Sequence, residues 1–156
     1  MYFKLVMIVL SLTILSGCKM VKPLNKGNTY PKIYNEQPKS ILVVPVINNS
    51  TAADAGSLYA KTLAYPLAEA GYYVFSIPYI ETFFATEGIV DGGQLKDLEP
   101  TKYKEVFGAD SVLFVKVNQW DTNYYISGGN VSVNATFELI STKTGNTMWR
   151  FQHGIK

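Results

Sequence analysis

Ser40-Ile41-Leu42-Val43-Val44-Pro45-Val46-Ile47 decides the fold. A continuous aliphatic and β-branched run with no polar alternation predicts a strand buried on both faces. Pro45 has no N–H to give to a ladder, so it belongs near the strand end or beside an unpaired position. Asn48-Asn49-Ser50-Thr51 is turn chemistry, able to cap a helix that follows. That helix is expected from about Ala52 to Ala70, because Ala55, Tyr59, Leu63, Leu67 and Ala70 recur at spacings of four and three. Pro66 inside it should kink it or mark a join between two shorter helices. Gly71 follows where a left-handed C-cap is wanted, and Tyr72-Tyr73-Val74-Phe75 is a short β run bounded by Pro78. Strand, helix and strand in this order make a βαβ unit, with a parallel pair and a right-handed crossover.

Beyond it, Tyr79 to Glu87 is expected to be helical with Gly88 as its stop, and Asp91-Gly92-Gly93 to be a loop. Thr101 to Phe107 reads as a short helix stopped by Gly108, with Tyr103 and Phe107 on one side. The pattern then changes. Ser111 to Trp120 is a long strand, apolar first and more polar later, which Asn123 to Ser127 extends. Gly128-Gly129-Asn130 is hairpin-turn chemistry. Val131, Val133, Ala135, Phe137 and Leu139 alternate with Ser132, Asn134, Thr136 and Glu138, a period of two that puts one face inside and one in water. Ser141 to Gly145 is a second turn, and Asn146 to Gln152 a third strand carrying Met148, Trp149 and Phe151. The predicted fold is α/β with α+β character: a βαβ first half and an antiparallel meander, in one mixed sheet with helices packed on it.

The N-terminus carries a different signal. Lys4 precedes an apolar run from Leu5 to Leu15. Spanning a bilayer takes ~20 apolar residues, so this run is too short and matches the core of a secretory signal peptide. It ends in Leu15-Ser16-Gly17-Cys18, small residues before the only cysteine of the chain. This resembles the lipobox of bacterial lipoproteins. The resemblance implies that the Cys18 thiol receives a diacylglycerol, that cleavage falls between Gly17 and Cys18, and that the new amine is acylated, with palmitate among the chains. Two or more chains give stable anchoring where one does not. Lys19 stands where an aspartate would retain the protein in the inner membrane, so an outer-membrane anchor is expected, on the periplasmic face or at the cell surface. Residues 19–39 hold Pro23, Pro31 and Pro38 with no sustained apolar period, and read as a tether. The domain plan is therefore 1–17 signal peptide, 18–39 lipidated cysteine and flexible tether, and 40–156 a single α/β domain.

Composition fits that plan. Of 156 residues 47% are apolar and 17% charged, enough to build one core. With Cys18 acylated no thiol remains for a disulfide, so packing must supply the stability. The net charge of +2 is unevenly placed. Residues 18–39 carry five lysines against Glu36, whereas from Ser40 onward eight basic residues meet eleven acidic ones. The basic excess lies beside the anchor, where lysines either contact anionic head groups or remain solvated. A mildly acidic domain does not suit nucleic acid.

Several stretches carry a resemblance as a set: Ile41-Leu42-Val43-Val44-Pro45, Pro66-Leu67-Ala68-Glu69-Ala70-Gly71-Tyr72-Tyr73-Val74-Phe75, Phe107-Gly108-Ala109-Asp110, and Thr144-Gly145 ahead of Trp149. Together they resemble a family of small Gram-negative envelope lipoproteins known through a neisserial surface antigen. The likeness runs from the signal peptide to about residue 150, and the Pro66–Phe75 run is its most specific part. It implies a fold similar to the N-terminal domain of TolB, to the penicillin-binding-protein activator LpoB and to the curli secretion lipoprotein CsgG. It brings no catalytic residues, and only the lipidated Cys18 carries over. Family members continue for several tens of residues past the point where this chain stops, so the chain is expected to be shortened at its C-terminus.

No constellation for chemistry emerges. His153 is the only histidine and has no cysteine partner. The loop after the first strand lacks the glycines of a phosphate cradle. Glu81 with Glu87, and Asp97 with Glu99, read as solvated faces, and Ser57 and Ser76 have no base to activate them. Of eleven tyrosines, Tyr124 and Tyr125 are the candidate partner surface. The expectation is a non-enzymatic protein-interaction or envelope-assembly module, needing no cofactor or metal, held to the membrane by its lipid and binding other envelope proteins or itself. The alternative is a lipid-anchored small-ligand binder or enzyme acting on cell-wall or lipid precursors. An apolar sheet face left short of helical cover is expected as well, making the domain marginally stable and oligomeric or prone to aggregate.

Overall fold

The computed structural model describes residues 26–125 and 128–155. In chain order the elements are α1 (Lys26–Thr29), α2 (Pro31–Glu36), β1 (Ser40–Val43), β2 (Ile47–Asn48), α3 (Ala55–Lys61), α4 (Ala64–Glu69), β3 (Tyr73–Val74), α5 (Ile77–Thr86), a 3₁₀ turn (Gly92–Leu95), α6 (Pro100–Phe107), β4 (Ser111–Tyr125), β5 (Gly128–Ser141) and β6 (Thr147–Ile155). They form one mixed sheet in the order β3-β1-β4-β5-β6, with β2 also paired to β4. β1 runs parallel to β3 and β4, while β4, β5 and β6 are antiparallel. The βαβ unit and the meander are both present, and the domain is α+β. Among the described residues no helix is long and apolar enough to cross a membrane.

Alternation along the central strands splits the core in two. Ile41, Val43, Leu113, Val115 and Val117 point to the side covered by α3 and α4. Leu42, Val44, Val112 and Phe114 point to the other, where Ile80 and Phe84 of α5 and Tyr103 of α6 meet them. All nine of these residues are buried, which is why the run from Ile41 shows no polar alternation. The Tyr103 hydroxyl donates to the Leu95 carbonyl at 2.9 Å, and burial pushes its pKa up to about 12.

Several elements differ from the sequence reading. The first strand is interrupted: after Val44 donates to the Leu113 carbonyl at 3.3 Å, Pro45 and Val46 leave the ladder and β2 resumes at Ile47. Pro45 sits in the gap, as its missing N–H requires. Of the two outcomes expected at Pro66, a kink or a join, the structure has the join: two helices meet at Thr62-Leu63, one turn ahead of the proline. Pro66 has no N–H for the Thr62 carbonyl, so the ladder cannot run through. Ala70, expected at the end of the apolar stripe, lies just past α4 and is exposed. Gly71, Gly88 and Gly108 do take left-handed conformations, with φ of 92°, 78° and 72°. Asp91-Gly92-Gly93 is no open loop but the start of the 3₁₀ turn, closed by a capping box in which Asp91 accepts from Gly93 N–H and Gln94 accepts from Asp91 N–H. Asp91 also accepts from Asn48 N–H at 3.3 Å, which ties this turn to the end of β2.

The stretch expected to be a tether is helical from Lys26 to Thr29 and from Pro31 to Glu36. Ile33 packs against the core and the Glu36 carboxylate accepts from the Thr144 hydroxyl at 2.8 Å. Pro31 starts the second helix at a position where its missing donor costs nothing. Residues 18–25 of the tether lie outside the described residues. Where the chain enters β1, Asp110 accepts from the N–H groups of Lys39 and Ser40 and from the Ser40 hydroxyl at 3.1–3.3 Å. Lys104 lies 3.6 Å from it. Partial burial alone would raise the Asp110 pKa; these donors and the Lys104 charge outweigh it and hold the carboxyl below its ordinary value.

Candidate interaction surface

The half of the sheet farthest from β3 is built differently. On one face Asn118 donates to the side chains of Asn134 (2.9 Å) and Thr136 (2.8 Å), and Gln152 donates to Asn134. Glu138 accepts from Arg150 and from the Thr147 hydroxyl. Burial would raise the Glu138 pKa, but the Arg150 and Thr147 hydrogen bonds and the Arg150 charge bring it below its ordinary value. This face is polar and satisfied, and it needs no cover.

The other face is aromatic. A β-bulge decides part of its membership. Val117 pairs with Ala135 and Gln119 with Asn134, so Asn118 is the extra residue. The insertion shifts the alternation by one. Trp120 thereby joins Val117 on the side of Ala135 and Val133, and packs on the α3/α4 side of the core. From there rings run in sequence across the sheet. Tyr59 of α3 lies 6.4 Å from Trp120 and 6.1 Å from Phe137, Phe137 lies 5.9 Å from Trp149, Trp149 lies 5.9 Å from Phe151, and Phe151 lies 6.0 Å from His153. Burial raises the Tyr59 pKa.

The helical layer stops short of this ladder. Between Leu63, Pro66 and Leu67 on one bank and Phe137, Trp149 and Phe151 on the other lies an open groove of about 590 Å³. Phe151 is 43% exposed, Val131 47% and Ile155 59%. An apolar trough floored by aromatic rings and bordered by few polar groups suits a protein surface better than a small polar substrate. The sequence predicts the under-covered face on β1 and the start of β4, but α5 and α6 cover that second face; the apolar face short of helical cover falls on β5 and β6 instead.

The candidate residues of the sequence scatter. Cys18 and Gly17 lie outside the described residues. Tyr124 and Tyr125 end β4, with their backbones opposite Gly129 and Gly128. Gly128 and Gly129 belong to β5, so the hairpin connection is residues 126–127, outside the described residues, and not Gly128-Gly129-Asn130. The aromatic ladder of Tyr59, Phe137, Trp149 and Phe151 was missed as a surface, because each ring fits a core pattern. His153 is exposed and stacks on Phe151. Among the described residues, no three of His, Cys, Asp and Glu gather as a metal site would need. Glu81 lines a crevice of about 360 Å³ with Pro45, Asn48, Ser57 and Asp91. Burial raises its pKa, with Lys61 pulling the other way.

The fold is a known one. The chain is similar to the LpoB C-terminal domain from Salmonella enterica (TM-score 0.51, 16% identical, 85% of this chain and 99% of that one). It is also similar to the PelC dodecamer from Paraburkholderia phytofirmans (TM-score 0.53, 19% identical, 75% and 70%). These define the class: an α+β domain of one mixed sheet between helical layers. Within it the likeness is greater to the lipoprotein GNA1162 from Neisseria meningitidis (TM-score 0.66, 34% identical, 76% and 82%). Residues 28–155 match the family described as "Putative lipoprotein GNA1162-like", and the chain belongs to that family. A curated relative, "Putative lipoprotein NMB1124/NMB1162" of Neisseria meningitidis serogroup B, is 31% identical over 142 residues. These cover 91% of this chain but 65% of the relative, so the chain spans just under two thirds of its length.

Proposed function

We propose that this protein is a lipid-anchored envelope module that acts by binding protein through the aromatic face of β5 and β6, not by catalysis. In this reading the chain is exported, cut between Gly17 and Cys18, acylated on Cys18 and held in the outer membrane. Residues 18–25 lead from the anchor to the folded domain. The observation that carries the reading is the half-exposed ladder Phe137-Trp149-Phe151 beside an open groove, on a sheet whose opposite face is polar and satisfied. Membership of a lipoprotein family supports the anchor. In the same reading Tyr124 and Tyr125, the last residues of β4, contribute to partner capture.

The test uses cells that export the full chain. A photocrosslinking residue at the exposed Thr62, on the bank of the groove, should form a discrete protein adduct in the envelope fraction. Lysine at both Tyr124 and Tyr125 should weaken that adduct without lowering the amount of folded protein. Cys18→Ala should move the chain out of the membrane fraction. Unmodified Cys18 in membrane-bound protein, or a Thr62 probe that captures nothing, would refute the anchor and the surface respectively.

A further inference from the structure

The parallel strands send their connections to opposite faces of the sheet. β1 leads through α3 and α4 on one face to β3, and β3 leads through α5 and α6 on the other face to β4. β1 and β3 are neighbours, so the helices that follow them part beyond their carboxyl ends. In open sheets such a switch point leaves a crevice where ligands bind. The crevice that holds Glu81, about 360 Å³, lies there. Its lining comes from the chain that follows β1, the first turn of α3, α5 and the chain that follows α5, all within residues 45–91. Its volume is at the low end of small-ligand sites, which run ~300–1,000 Å³.

The polar groups of the crevice differ in what they can still bind. Both oxygens of Asp91 are engaged: Oδ1 accepts from Gly93 N–H at 2.7 Å and Oδ2 from Asn48 N–H at 3.3 Å. Neither the Glu81 carboxylate nor the Ser57 hydroxyl has a hydrogen-bond partner among the described residues. Lys61 acts on Glu81 through its charge but forms no ion pair with it. Glu81 is therefore a partly desolvated carboxylate without a direct counter-charge, a costly state that a bound cation relieves. No lysine, arginine or histidine is among the described residues that line the crevice, so an anion would meet two carboxylates and no cation. No third metal-binding side chain joins those carboxylates among the described residues. Ala53, Ala85 and Ile89 make the rest of the wall aliphatic.

We infer that this crevice binds a small organic cation, an ammonium or guanidinium group on a short aliphatic stem, with Glu81 as its counter-charge and Ser57 as a second acceptor. The N–H donors of such a group return to the carboxylate the hydrogen bonds that burial removed, and charge-assisted bonds are roughly twice as strong as neutral ones. The stem lies on Ala53, Ala85 and Ile89. The crevice shares no residue with the aromatic groove, so the two readings stand or fall separately. A free alkylguanidine and the arginine side chain of a protein offer the same chemistry, and the test separates them.

The exported full chain in nonionic detergent, labelled with carboxyl-¹³C glutamate, carries the readout, and the resonance lost in Glu81→Gln identifies Glu81. At pH 7, n-butylguanidinium and n-butylammonium should each shift that resonance saturably, and n-butyrate should not. Followed on the Ser57 and Val90 amides, both cations should bind at least about tenfold more weakly to Glu81→Gln, which loses a bond to a charged group. Ala85→Leu, at an exposed position of α5, should weaken binding by filling the crevice while leaving the thermal midpoint unchanged. A capped Ala-Arg-Ala peptide that binds more tightly than n-butylguanidinium assigns the cation to a protein side chain; weaker binding assigns it to a free small molecule. No saturable shift with either cation, binding of n-butyrate as tight as theirs, or equal affinity in Glu81→Gln and wild type overturns the inference.

Discussion

Replacing Gly92 by alanine should destabilise the domain more than any other single methyl added at a described glycine. A Cβ there would lie 2.0 Å from the Pro45 carbonyl oxygen and 3.3 Å from Ile47 Cγ1. Real Cβ contacts essentially never fall under 3.0 Å, so the turn and the β1–β2 gap must separate by at least about 1 Å. The closest contact is backbone and cannot swing aside. Forcing an extra methyl into a packed site costs ~1–3 kcal/mol. The same displacement pulls Asp91 from Asn48 N–H, a bond of 3.3 Å worth ~1 kcal/mol net. The sum is ~2–4 kcal/mol, and at ~4 °C per kcal/mol for a domain of this size the midpoint should fall by ~8–16 °C. Gly56→Ala is the control. Its Cβ would meet Asn48 and Val46 at an ordinary 3.5 Å, and inside a helix alanine is favoured over glycine by ~0.5–1 kcal/mol, so the midpoint should rise by a few degrees. Thermal unfolding followed by circular dichroism reads both. A Gly92→Ala midpoint within ~3 °C of wild type, less than 1 kcal/mol on the same scale, would refute the claim that this turn is wedged against Pro45.

Tyr103→Phe removes one hydroxyl from the Leu95 carbonyl, which keeps the Leu98 N–H at 3.2 Å, so the loss should be that of one net hydrogen bond, ~0.5–1.5 kcal/mol in chemical denaturation at pH 7. Asp110→Asn should cost about 1 kcal/mol at pH 7, less than a buried charged bond because the carboxylate is partly exposed. The Asp110 pKa is lowered on folding from an ordinary 3.8, so its stabilisation is present above pH ~4 and is lost as pH falls through the folded value. The gap between wild type and Asp110→Asn should therefore narrow from pH 6 to pH 3, and a constant gap would show that the carboxylate charge plays no part.

Much of the fold was legible because its signals are local. Gly71, Gly88 and Gly108 mark helix ends whose left-handed turns other residues resist. The strict alternation from Val131 to Leu139 identifies one strand, and the unalternating run from Ile41 another. What escaped depends on partners distant in sequence. The close approach of Gly92 to the Pro45 carbonyl joins two segments far apart in sequence. The capping box of Asp91 and Gln94 is the one local device that was overlooked: an acidic residue with glutamine three positions on is a helix-start signature, here on a 3₁₀ turn. The bulge at Asn118 also left a trace, since the apolar parity of Leu113, Val115 and Val117 slips by one to Trp120 while that of β5 does not.

The aromatic surface escaped for a deeper reason. Hydrophobic periodicity records that a face is to be covered, not what covers it. Phe137 and Trp149 stand in the same alternation as Ala135 and Leu139, and nothing in the pattern separates a residue buried under the chain's own helices from one buried by a partner. The structure separates them: Ala135 is 0% exposed and Leu139 4%, whereas Phe151 on the next strand keeps 43% of its surface in water. The opposite face makes the distinction meaningful. There Asn118 and Gln152 donate to Asn134, and Arg150 and Thr147 donate to Glu138, so these groups can remain wet. A sheet half with one polar and one aromatic face is stable in solution only when the aromatic side meets another apolar surface. On the reading proposed above, the residues that complete the periodic pattern are the ones through which the domain associates.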